Sequence, residues 1–217
     1  MDLILYFVDI FLHLDKYLGD VIEKYDQWTF LILFLVLYCE TGLVVTPFLP
    51  GDSLLFAAGT FAGLGRLNLA ALMLVLGLAP IMGDSTNYWI GRYIGPKILR
   101  KENVRFLNKE YLHRAHEFYE KYGGKTIAIA RFMPIIRTFA PFVAGVGCMN
   151  YLKFLAFSIG GTILWVSSFV LGGYFFGNMP IVKKNFTLVI MAIVVISVIP
   201  SVVEVIRQRR LAKAKKG

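Results

Sequence analysis

Charge is scarce in this chain. Of its 217 residues only 17% are Asp, Glu, Lys or Arg, while 57% are hydrophobic and mean hydropathy is +0.65. That balance describes a polytopic membrane protein with room for about four to six segments of ~20 residues each, organised as one membrane domain. Cysteine is scarcer still. Cys39 and Cys148 lie in apolar stretches without a CxxC or Cys/His spacing, so they read as buried structural thiols, and a metal or redox site is not expected. The three histidines (His13, His113 and His116) fall in interfacial segments, away from the motifs described below. No nucleophile–base pair or metal-ligand cluster stands out, so neither an enzyme nor a cofactor is expected. No basic region precedes Leu3 and no small-residue cleavage site follows it, which argues against a cleaved signal peptide. The net charge of +9 does not point to nucleic acid. The basic residues flank apolar segments, where they report orientation and contact with anionic headgroups.

Where charge does enter the apolar stretches, it is concentrated. Residues 130–147 read ARFMPIIRTFAPFVAGVG, with Arg131 and Arg137 interrupted by Pro134 and Pro141. A straight membrane helix would make poor sense here. Each Arg at the bilayer centre costs about 2.5–3.5 kcal/mol on the insertion scale, and each proline removes a backbone donor. Charge and broken backbone are tolerated at membrane depth only beside protein or a wet cavity. A re-entrant hairpin over about 126–147 is therefore expected, holding two guanidinium groups over an anion site.

The remaining chain is read in order. Residues 1–27 contain an amphipathic helix, its apolar stripe running through Leu14, Leu18, Val21 and Tyr25, too charged to span and expected to lie on the membrane surface. Residues 29–64 form two half-length apolar arms around TPFLPGDS, with Glu40 and Asp52 near the tip, and read as a second re-entrant hairpin. Residues 67–90 can span. The basic stretch 97–125 includes another amphipathic helix, 152–176 is a further span, 186–206 is the last, and 207–217 is a basic tail. The Lys/Arg distribution places that tail in the cytoplasm and the acidic N-terminus outside. The fold expected is all-α: two oppositely oriented hairpins in an inverted repeat, plus spanning and interfacial helices. FAAGTFAG at 56–63 faintly echoes FVAGVG at 142–147, and inverted repeats place substrate sites near the midplane.

Glu40, Asp52, Arg131 and Arg137 are the candidate site. Ion pairs that merely lock hairpins together are an expensive device where small residues suffice. Two guanidinium forks suit phosphate oxygens, which a lysine engages only as a point charge. Opposed hairpin tips would bring the acids to the arginines. The carboxylates would then neutralise the guanidinium groups until a phosphate displaces them, linking binding to proton uptake. Asp84 either accepts hydrogen bonds from neighbouring helices or belongs to the polar path. Trp165 is read as packing between helices, Trp28 and Trp89 as interface anchors, and Arg92 as snorkelling to headgroups.

These same stretches carry a resemblance. CETGLVVTPFLPGDSLLFAAG, the GDxxxYxxGRxxG pattern at 83–95 and ARFMPIIRTFAPFVAGVG resemble the DedA family, also called SNARE-associated or VTT-domain proteins, over about 28–177. The resemblance implies a bacterial inner-membrane protein that moves phospholipids or polyprenyl phosphate carriers, with ties to proton motive force. It also implies essential roles for an acidic pair and an arginine pair, which match Glu40, Asp52, Arg131 and Arg137. The leading functional reading is a proton-linked flippase or scramblase for undecaprenyl phosphate or a phospholipid. The rival is a proton-coupled transporter of small solutes or cationic drugs. Expected partners are membrane lipids and protons, and self-association into a homo-oligomer is left open.

Overall fold

A computed structural model describes residues 14–42, 51–100 and 123–193, with isolated positions to 199. Every regular element among the described residues is a helix. They are α1 (Leu14–Tyr25), α2 (Trp28–Gly42), α3 (Gly51–Gly63), α4 (Leu69–Arg100), α5 (Lys125–Ala130), α6 (Pro134–Val146), α7 (Tyr151–Phe176) and α8 (Pro180–Lys184). Residues 186–193 are helical as well. The amphipathic segment expected within 97–125, the three histidines, residues 43–50 and the basic tail lie outside the described residues.

Helix lengths divide the chain into two kinds of element. At 1.5 Å per residue, the 32 residues of α4 and the 26 of α7 extend about 48 and 39 Å, more than a ~30 Å hydrocarbon core. Both are long and apolar enough to cross a membrane. α4 runs on past the expected end at residue 90, through GRYIG and Pro96 to Arg100, because the glycines there pack against α6 instead of ending the helix. By contrast α2, α3 and α6 have 15, 13 and 13 residues, about 20 Å each. α2 is longer than the half-length arm expected, reaching Gly42 beyond Glu40. The α5–α6 break falls at Arg131–Met133. Met133 takes an extended conformation (φ −118°, ψ 104°), as a residue before proline prefers, and Pro134 begins α6 where its missing N–H costs nothing.

Packing ties these elements reciprocally. α2 lies on α4, and α3 on α7; α5 lies on α7, and α6 on α4. Two buried apolar clusters result. Leu72, Leu76 and Ala79 of α4 join Val166 and Val170 of α7 in one. Tyr88 of α4 joins Phe154 of α7 and Ala140 of α6 in the other. α4 passes from the first cluster to the second and α7 from the second to the first, so the two long helices run in opposite directions. Between the clusters both helices bury polar side chains: Asp84 and Asn87 on α4, Ser158 and Thr162 on α7.

Glycine permits the close contacts. A Cβ at Gly59 of α3 would overlap the carbonyl oxygen of Val170, and one at Gly173 of α7 would overlap that of Phe56. On the other side, a Cβ at Gly145 would overlap the carbonyl oxygen of Tyr88, and one at Gly91 that of Phe142. Such crossings let backbones approach where lipid gives no hydrophobic drive for helix association. Gly59→Val and Gly145→Val should each cost at least the ~1–3 kcal/mol of overpacking and lower the melting temperature of purified protein by several degrees. Gly77→Ala and Gly160→Ala, with nothing within 4 Å of the new methyl, should not lower it.

α1 docks through Leu18 and Ile22, with Gly19 against Phe61, and Glu23 pairs with Arg66 at 2.8 Å. Its buried face is thus centred on Leu18 and Ile22, and the expected stripe residue Tyr25 is exposed. The cysteines correct the expectation of buried thiols. Cys39 is only partly buried, and Cys148 is exposed in a left-handed turn (φ 54°) that closes α6.

Candidate functional site

The polar layer between the two apolar clusters holds five buried ionisable side chains: Glu40, Asp52, Asp84, Arg131 and Arg137. Each comes from the end or interruption of a helix, or from mid-helix between the clusters. Glu40 lies in the last turn of α2 and Asp52 in the first turn of α3. A carboxylate there is favoured by the positive end of the helix dipole. Gly51 is required beside it, because a Cβ would overlap Oε2 of Glu40. Arg131 sits in the α5–α6 break and Arg137 in α6, four residues before Pro141. Pro141 brings no N–H to the carbonyl of Arg137, so the helix is weakened where the guanidinium is presented.

Arg137 spans the two carboxylates of the other broken segment. Its Nη1 donates to Oδ1 of Asp52 at 2.6 Å, and its Nη2 donates to Oε1 of Glu40. The two acids and this arginine therefore meet as expected. Arg131 does not join them. Its Nη2 donates to Oδ2 of Asp84 and lies 3.3 Å from Oγ of Ser158, which itself donates to the same Asp84 oxygen at 2.6 Å. The expectation that the Glu40–Asp52 pair faces both arginines is corrected on this point. α4 passes closer to the α5–α6 break than α2 does, and Asp84 takes the role of counter-ion. Of the two readings of Asp84, acceptance of hydrogen bonds from neighbouring helices is what the geometry displays.

The two ion-paired groups are linked by side chains that are not among the candidate site residues read from the sequence. Trp165 of α7 donates from Nε1 to Oδ1 of Asp52 at 2.9 Å, and its ring lies 5.0 Å from the Arg137 guanidinium and 5.8 Å from that of Arg131. It does more than fill space between helices. Asn87 of α4 donates to the carbonyls of Thr41 at 3.2 Å and Thr138 at 2.7 Å, tying the end of α2 to α6. The signal that could have found these residues is a stripe. Ser158, Thr162 and Trp165 recur at helical spacing on one face of an otherwise apolar span.

Thr41, Asp84, Ile127, Arg131, Arg137 and Pro141 line a cavity of about 240 Å³ counting its open mouth. Its enclosed part is only about 10 Å³, room for about one water molecule. Each arginine is paired with a carboxylate, and a ligand that takes the same N–H groups displaces it. Among the described residues no group of His, Cys, Asp and Glu has the arrangement of a metal site.

A helical membrane protein whose broken helices meet in a buried, ion-paired polar layer is the class that this fold and site define. Within that class the assignment is specific. Residues 49–175 match the family model of the VTT domain. The chain is 50% identical over 214 residues to Protein DedA of Escherichia coli K12, covering 98% of both chains. It is 43% identical over 180 residues to the uncharacterized membrane protein Rv0364 of Mycobacterium tuberculosis H37Rv, covering 82% of this chain and 79% of that one. It is 32% identical over 155 residues to the inner membrane protein YqjA of E. coli K12, covering 71% and 70%. The chain belongs to the DedA family of VTT-domain membrane proteins. No solved structure matches it.

Proposed function

We propose that this protein moves a phosphate-bearing lipid, undecaprenyl phosphate or a phospholipid, across the bacterial inner membrane. The observation that carries this reading is Arg137: a planar fork, buried against the last turn of α2 and the first turn of α3 and held by two carboxylates that an anion could replace. Arg131 adds a second fork on the same cavity, with Asp84 as its resting partner. Glu40 and Asp52 are the proton-coupling pair, and Asp84, besides holding Arg131, lines the same cavity and so extends the polar path.

Two features support alternating access at such a site. The short helices α2, α3 and α6 suit re-entrant hairpins. The contacts between the halves also repeat, with one offset for the short helices and another for the long ones. Phe56 and Gly59 of α3 correspond to Phe142 and Gly145 of α6, 86 residues on, while Tyr88 and Gly91 of α4 correspond to Val170 and Gly173 of α7, 82 residues on. With α4 and α7 running in opposite directions, this supports an inverted repeat, the architecture that sets a substrate site between broken helices. The basic tail then lies in the cytoplasm. Labelling of a cysteine at position 215 from the outside of intact cells would contradict that orientation.

The second reading is a proton-coupled transporter of small solutes or cationic drugs, and one observation favours it: three carboxylates face two guanidinium groups. Thermal unfolding separates the two. A polyprenyl phosphate at about 100 times its Kd should stabilise the protein by about 2.7 kcal/mol, whereas an organic cation should not. Arg131→Lys and Arg137→Lys should each lose most of that stabilisation, because an ammonium cannot form the fork. Stabilisation by the cation alone would favour the rival.

A further inference from the structure

Trp165 touches three of the five ionisable side chains in the polar layer. Its indole N–H shares a single oxygen of Asp52 with Arg137, at 2.9 and 2.6 Å, and its face stands against both guanidinium groups. The side chain is among the largest that are fully buried, so the ring cannot swing to solvent. If a phosphate takes Arg137 from Asp52, that carboxylate must move off, and the N–H it leaves is a buried donor with no acceptor. A donor so stranded costs the full desolvation of the group, and the nearest replacement acceptor is the oxygen that displaced Asp52.

We infer that Trp165 is a ligand residue of the anion site: its N–H passes from Asp52 to a phosphate oxygen, while its face keeps the two arginines in place once their carboxylates have left. A cation–π contact is strengthened by desolvation, so this hold persists in the ion-pair-free state. The inference rests on the phosphate reading above and adds a donor to it. It also distinguishes a phosphate from an organic cation, which offers no acceptor, and from an alcohol, which offers only a neutral one.

The sequence has three tryptophans, and Trp28 and Trp89 are exposed. A Trp28→Phe/Trp89→Phe protein therefore reports on Trp165 alone. Its emission should change on titration with farnesyl phosphate in detergent micelles and stay unchanged with farnesol. Trp165→Phe keeps a ring and removes the N–H; in a binding assay with labelled farnesyl phosphate it should weaken affinity about tenfold or more, the loss expected for one hydrogen bond to a charged group. A structural role alone would lower the melting temperature and leave affinity as it was. Emission that stays constant while the phosphate binds, or a Trp165→Phe protein that binds it as tightly as the parent, would overturn the inference and leave the phosphate reading intact. Absence of farnesyl phosphate binding to the unaltered protein, by the same labelled-ligand assay, would overturn both.

Discussion

Arg137→Gln should be the most damaging single substitution in the polar layer. It leaves Glu40 and Asp52 facing each other in a buried site with no counter-charge, and breaking a buried pair in this way costs about 3–5 kcal/mol. The expected result is loss of most folded protein on size-exclusion chromatography, or a fall of many degrees in melting temperature. The triple variant Arg137→Gln/Glu40→Gln/Asp52→Asn removes the stranded charges together with their partner. The three amides can hydrogen-bond one another, so no unpaired charge is left buried. Folding should therefore recover in the triple variant while phosphate binding does not. A triple variant that stays unfolded would place the effect in packing instead of charge.

The second large effect concerns the acids. On the proposed function, a phosphate that takes Arg137 would displace Glu40 and Asp52 into a site where, among the described residues, no other cation is within hydrogen-bonding distance, and a displaced carboxylate there would take up a proton. Linkage then gives the sign. If binding takes up one proton, affinity for the phosphate rises about tenfold for each unit of falling pH across the window in which the acid titrates. Glu40→Gln and Asp52→Asn each remove a group that could take that proton. Measured from about pH 6 to 8, affinity in the unaltered protein should increase toward pH 6, and the profile of at least one variant should flatten. Unchanged profiles in both would leave the acids a purely structural role.

Much of this arrangement was legible because the bilayer makes charge conspicuous. Arg131, Arg137, Glu40 and Asp52 stand out in apolar stretches, and the prolines beside them mark the breaks. The glycines of GDSLLFAAG and APFVAGVG announce close helix approach without saying which helix approaches. Pairing was not legible. Nothing in the spacing of Arg131 tells it to choose Asp84 over Glu40, because that choice depends on how α4 crosses the α5–α6 break. Trp165 was hidden for another reason. An indole in an apolar span looks like packing, and its N–H acquires meaning only once Asp52 is found 113 residues away in sequence. Cys148 misled because its apolar neighbours suggested a helix interior, whereas it occupies the turn that ends α6.

The central claim is that Arg131 and Arg137 recognise a lipid by its phosphate. Reconstitution of the protein into liposomes, followed by transbilayer movement of a labelled polyprenyl phosphate and of the same polyprenol without its phosphate, tests it most directly. The phosphate should cross in the unaltered protein, the alcohol should not be accelerated, and Arg137→Lys should abolish the difference. Equal acceleration of both lipids, or of neither while a labelled organic cation is carried, would contradict the claim.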